Sequence, residues 1–133
     1  MLPKKRGSSM TALNTELLKR AEAILRRDPI VAENVRWHDA SITLVCDAKR
    51  WTFEVREGRI TLEPDEHPRE QPEILIRGQS EDWRPLLKGM QGGLHRAFRH
   101  KLLAFEGDAV AMLTLWKTVW RVGESISLAS KEE

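Results

Sequence analysis

The side chains most able to do chemistry in this chain crowd into one stretch, Gly93-Leu-His-Arg-Ala-Phe-Arg-His-Lys101, which holds no carboxylate. Arginine presents a planar fork of donors that matches carboxylate and phosphate oxygens. Arg96 and Arg99, with His100 and Lys101, therefore suit the anionic head of a small molecule. The competing reading is a solvated basic connector. His95 and His100 are five residues apart, which on a helix turns them away from each other, so no shared metal is expected. Cys46 is the single cysteine. It falls on the apolar face of a strand pattern, where packing explains it better than reactivity, since a nucleophilic thiolate wants exposure and a positive neighbour. Asp108 follows Gly107 and opens a helical pattern, so it reads as a helix cap. For Asp108 or His95 to act as acid or base on a buried lipid, a second polar group would have to converge with it in a closed pocket.

Recognisable catalytic and cofactor motifs are missing. There is no glycine-rich phosphate loop, no paired-cysteine motif, no His-Glu-x-x-His and no nucleophile elbow. No catalytic residue, cofactor or metal is expected. The chain has 133 residues, the span of one domain. A domain of this size buries roughly two thirds of the surface it exposes unfolded, so it needs no disulfide or metal to hold it together. One cysteine points to a reducing compartment. The net charge of +2, with 32% of residues charged, gives no strong field for nucleic acid, and none is expected as a partner. No run approaches the ~18 apolar residues of a membrane span. Residues 1–10, with Lys4, Lys5 and Arg6 but no apolar run behind them, read as a disordered arm and not a secretory signal. Residues 11–128 read as the domain and 129–133 as a tail. That tail, ending Lys131-Glu-Glu133, does not resemble a peroxisomal address.

Spacing supplies the elements. Leu13, Leu17, Ala21, Ile24 and Leu25 share one face of a helix over Thr11 to Arg27, with Thr11 or Asn14 as its cap. Asp28-Pro29 ends it and can open a further short turn. From Ala40 the period changes to two. Ile42, Leu44 and Cys46 alternate with Ser41, Thr43 and Val45, then Trp51, Phe53 and Val55 with Thr52, Glu54 and Arg56. Glu57-Gly58 is a two-residue hairpin connection leading to a third strand at Ile60 and Leu62. Residues 64–72 hold three prolines and read as a loop. Ile74-Leu-Ile76 makes a fourth strand. Ser80 is the expected cap of a middle helix with Trp83, Leu86, Leu87 and Met90 on its buried stripe, interrupted by Pro85. A basic connector, a fifth strand over Lys101 to Glu106 and a last helix over Ala109 to Val122 follow. This order argues an α+β fold, an antiparallel sheet with helices packed on it.

The last helix is apolar nearly all round. Trp116 and Trp120 share one face; Val110, Leu115, Val119 and Val122 take the others. Five tryptophans with no tyrosine is an unusual balance for this length. A helix with two apolar faces can pack one on its sheet and offer the other to a ligand, a second subunit or a lipid surface.

With these residues in view, roughly residues 38 to 120 resemble the sterol carrier protein type 2 domain family. The hairpin Phe53-Glu-Val-Arg-Glu-Gly58 and the helix end Leu86-Leu-Lys-Gly89 are similar to family features. Ala97-Phe-Arg-His-Lys-Leu-Leu-Ala-Phe-Glu-Gly-Asp108 resembles the family's Ala-Phe…Gly-Lys-Leu-x-Ile-x-Gly-Asp signature, with His100 where that glycine stands. Pro72-Glu73 replaces the Ala-Asp that often opens the fourth strand, and Pro85 interrupts the middle helix. The resemblance implies a five-stranded, mainly antiparallel sheet with helices on one face, enclosing an apolar tunnel. It implies a cytoplasmic, bacterial, non-enzymatic carrier of a sterol, acyl chain or isoprenoid. Family relatives also serve as accessory or dimer-forming parts of lipid- or quinone-metabolising enzyme systems. The partners it implies are a lipid or other apolar small molecule, transient contact with a membrane surface, and a second copy or partner enzyme. The expected lining is Leu86, Leu87, Met90, Phe98, Leu103, Phe105, Met112, Leu113, Trp116 and Trp120, with Arg96 and Arg99 facing a polar head at the mouth.

Overall fold

The computed structural model describes residues 11–63 and 72–132. The arm expected over 1–10 and most of the loop expected over 64–72 lie outside them. Helix α1 spans Thr15–Arg26 and α2 spans Pro29–Asn34. Asn14, not Thr11, caps α1, its carboxamide oxygen accepting from the Leu17 amide at 2.8 Å. Leu13 therefore precedes the helix, yet it is fully buried. Asp28 caps α2 ahead of Pro29 and accepts from the Ile30 amide at 2.9 Å. Its other oxygen takes the Arg121 guanidinium at 2.5 Å.

Strands β1 (Ala40–Cys46), β2 (Lys49–Arg56), β3 (Arg59–Leu62), β4 (Ile74–Gly78) and β5 (Ala104–Gly107) form one sheet in the order β3-β2-β1-β4-β5. Only β1 and β4 run parallel; the other neighbours are antiparallel. The β2–β3 turn has positive φ at both Glu57 (55°) and Gly58 (76°), the twist that joins antiparallel strands in two residues. Register aligns Phe53, Ile42 and Ile74 across three strands, and all three are fully buried. Ser41, Thr43 and Thr52 on the opposite face are buried too, and Thr43 and Thr52 share a hydroxyl hydrogen bond of 2.9 Å.

The helices α3 (Ser80–Leu87), α4 (Gly93–Arg99), α5 (Ala109–Thr114) and α6 (Trp116–Lys131) complete the chain. The core is one cluster. It joins Leu17, Leu18 and Leu25 of α1 and Val119, Val122 and Ile126 of α6 to the sheet face bearing Ile42, Leu44, Phe53 and Ile76. Leu94 of α4 packs on Gly123, where a Cβ would come within 2.7 Å of it, so that small residue lets α4 and α6 close together.

Four local expectations change. Ser80 does not cap α3; Gln79 stands at that position, and its amide donates to the Asp82 carboxylate at 2.9 Å. The Ser80 hydroxyl instead donates to Asp47 at 2.7 Å and accepts from the Ala12 amide at 3.0 Å. Pro85 sits inside α3, which ends two residues later, and Gly89 turns the chain with φ of +86°. The basic connector is itself the helix α4, because Leu94 and Ala97 bury one side of it. Lys101, at φ of 57°, ends that segment, so β5 starts only at Ala104. The last helix breaks at Leu115 and then runs on to Lys131, with Ala129 buried, through residues that the sequence places in the tail.

The break has a visible cause. The Asn34 side chain donates to the Thr114 carbonyl at 3.1 Å and accepts from the Thr118 amide at 3.0 Å and the Thr118 hydroxyl at 2.6 Å. One carboxamide thus satisfies the end of α5 and the start of α6, where helices leave backbone groups unpaired. No helix among the described residues is long and apolar enough to cross a membrane.

Candidate functional site

Beyond the break, α6 buries Val119, Val122, Ile126 and Ala129 in the core; before it, α5 has no buried residue. Val110 is 72% exposed and Leu113 80% exposed. Helix α5 therefore stands off from the sheet. Between it, α4, β5 and the start of α6 lies an apolar cleft of about 500 Å³.

Gly107 makes the corner at the foot of this cleft. Its φ is +125°, and a Cβ there would sit 2.1 Å from the Glu73 carbonyl oxygen. That close approach lets the same carbonyl accept the Asp108 amide at 2.8 Å. The Asp108 carboxylate then accepts the Val110 and Ala111 amides at 2.8 and 3.3 Å, so it is engaged as the cap of α5.

Aromatic rings build the wall. Phe98 meets Phe105 at 5.2 Å between centroids and Trp116 at 5.3 Å, both edge-on. Trp116 also receives the His95 ring at 6.0 Å. These spacings are those of favourable offset and edge contacts. Met112 and Leu113 face the rings from α5, and Arg99 stands at the rim. The described residues thus form a cleft open to solvent on one side; the apolar tunnel that the resemblance implies is not shown among them.

The structure brings six of the expected lining residues to this cleft: Phe98, Arg99, Phe105, Met112, Leu113 and Trp116. Leu103 packs against Gly78 and lines an adjoining cleft of about 680 Å³, which shares Phe98, Arg99 and Phe105 with the first. Leu86 belongs to the core, and Leu87 and Met90 are partly buried against it. Trp120 is 40% exposed and lies under the Arg121 guanidinium. Arg96 packs over Gly92, away from the cleft. His95, weighed from the sequence as an acid or base on a buried lipid, joins the lining, and so do Gly107 and Ala109, which the sequence did not mark as ligand-facing. For those two, the small side chains on both sides of Asp108 were the hint. Cys46 is buried, with its sulfur 3.5 Å from the Ser80 hydroxyl. Among the described residues no cluster of three or more potential metal ligands occurs.

A five-stranded mixed sheet in this order, with helices on one face and an apolar cleft beside its last strand, defines an α+β class with room for an apolar molecule. The chain has the sterol carrier protein 2 fold. It superposes on a crystal structure of sterol carrier protein 2 with a TM-score of 0.69 at 12% identity, over 86% of this chain and 95% of that one. A conserved hypothetical protein of Thermus thermophilus, described as possibly a sterol carrier protein, matches with a TM-score of 0.63 at 12% identity, over 90% and 87% of the two chains. The UbiJ-SCP2 ubiquinone synthesis protein matches with a TM-score of 0.54 at 13% identity, over 98% and 97%. No family model matches the chain, and no curated protein matches it by sequence.

Proposed function

We propose that the protein binds and carries one hydrophobic ligand, an acyl chain, sterol or isoprenoid, without acting on it chemically. The observation that carries this reading is the apolar cleft with its Phe98, Phe105 and Trp116 wall, on a fold shared with sterol carrier protein 2. Burial supplies the driving force, about 0.8 kcal/mol for each CH₂ taken from water. The exposed Val110 and Leu113 beside the opening suit transient contact with a lipid surface, from which such a ligand is drawn. A fluorescent fatty acid should bind saturably in the micromolar range and be displaced by unlabelled lipid, with transfer of energy from Trp116. No saturable binding of any acyl, sterol or polyprenyl probe sinks the reading.

A second reading, an accessory or dimer-forming subunit, is favoured by the end-to-end match to the ubiquinone synthesis protein and by the same exposed side chains of α5. A ligand-free dimer that buries Leu113 would support it. A monomer that releases lipid on extraction would support the carrier.

A further inference from the structure

We infer that Phe98 is a movable partition that sets the length of chain the protein accepts. The inference rests on the carrier reading and deepens it. The two clefts, about 500 and 680 Å³, adjoin at Phe98, Arg99 and Phe105, and Phe98 and Phe105 are the apolar members of that shared wall.

The two rings differ in how firmly they are held. Phe105 lies in β5, paired opposite Ile76 of β4, and the ladder fixes its direction. Phe98 projects from α4 and is 47% exposed. Its ring contacts are the edge-on ones to Phe105 and Trp116. The neighbours that anchor α4 in the core are Leu94 and Ala97, so Phe98 can change rotamer without disturbing them. Rotamer changes of such half-exposed side chains are fast compared with ligand exchange. Beyond the ring lie Leu102, Leu103 and Ala104, an apolar strip bordered by Arg77, Asp82 and Lys101, along which a longer chain can continue. With the ring in place, a chain fills the first cleft alone. With the ring displaced, it runs on into the second.

The test is a length series. Dissociation constants are measured for saturated fatty acids of about eight to about twenty carbons, each below its micellar concentration, with wild type, Phe98→Ala and Phe98→Ala/Ala104→Trp. Ala104 is exposed on β5, so a tryptophan there fills the second cleft without entering the core. In wild type, affinity rises about fourfold per added methylene and then levels off when the first cleft is full. In Phe98→Ala the levelling point moves to longer chains, and the longest acids gain about tenfold or more relative to the shortest. The added Ala104→Trp returns it to the wild-type length. Phe98→Leu, which keeps an apolar side chain on α4, gives an intermediate shift and covers the case in which the alanine variant folds poorly. The same levelling point in all variants, or a common weakening at every length, overturns the partition and leaves Phe98 a plain wall contact. Wild type that binds no acid of any length overturns the carrier reading itself, and the partition with it.

Discussion

Gly107 is the residue on which the shape of the cleft most depends. Its positive φ and the nearby Glu73 carbonyl leave no room for a side chain. Gly107→Ala should therefore cost about 2 kcal/mol or more in chemical denaturation, because the β5–α5 corner must strain or open. An alanine variant as stable as wild type would show that the corner relaxes freely. Asp47 is the electrostatic counterpart at the other end of the sheet. Its carboxyl is held below the usual carboxylate range, first by the Ser80 hydroxyl and then by the Ser80 amide. A carboxylate depressed in the folded state stabilises while ionised. That contribution is present above the unfolded value and is lost as pH falls through the folded one. Asp47 has a φ of 57°, a conformation asparagine also tolerates, so Asp47→Asn removes the charge without straining the turn and keeps one of the two accepting oxygens. The stability gap between wild type and this variant should stay constant above about pH 5 and shrink on acidification below about pH 4. A gap that is flat down to acid unfolding would mean that the hydrogen-bond geometry, and not the charge, is what Asp47 contributes.

At the scale of elements, the strands and α1 were legible because a period of two or of three-to-four is written directly in the side chains, as in Ile42, Leu44 and Cys46. The break in the last helix was not legible. Nothing between Ala109 and Val122 is a glycine or proline; the break is made by Asn34, some eighty residues earlier in the chain. Helix α4 was hidden for a different reason. Its buried side is only Gly93, Leu94 and Ala97, a stripe too small to stand out among His95, Arg96 and Arg99. The wall of the cleft was legible through its aromatics. Its exact membership was not, since the break turns Met112 and Leu113 toward α4 while Trp120 goes elsewhere. Asn34→Ala tests this account. It removes a donor and an acceptor that are partly buried, which should cost about 1–3 kcal/mol. It should also speed hydrogen exchange at the Thr118 amide well beyond its neighbours in α6. Unchanged exchange at Thr118 would mean that the break is set by packing of Leu115 and not by the carboxamide.

At the scale of the whole molecule, the two edges of the sheet are treated differently. The β3 edge is sealed by α1. Arg26 donates to the Ile60 carbonyl at 3.1 Å, and Glu22 accepts the Leu62 amide at 2.8 Å. Such cover blocks edge-to-edge pairing with another chain. The β5 edge is left exposed apart from the half-buried Phe105, and the cleft opens beside it. One end of the sheet is thus closed for stability, and the other is free for a ligand. The cationic rim of that open end leads to the last prediction. From the sequence, Arg96 and Arg99 read either as contacts for a ligand's head or as a solvated connector; only Arg99 lines the cleft, while Arg96 packs over Gly92. The pair therefore contains its own control. Arg99→Gln should weaken a fatty acid relative to the alcohol of the same chain, and Arg96→Gln should leave that ratio unchanged. A charge-assisted contact is worth about 1.5–3 kcal/mol when desolvated. Arg99 is exposed, so the smaller value for surface pairs, about 0.2–1 kcal/mol, applies. The ratio should shift by about 1.4- to fivefold at low ionic strength and shrink as salt shortens the reach of the charge. Equal losses for acid and alcohol in Arg99→Gln would make the arginine a support of α4. The same shift in Arg96→Gln would mean that the whole basic helix, and not one rim residue, attracts the head group.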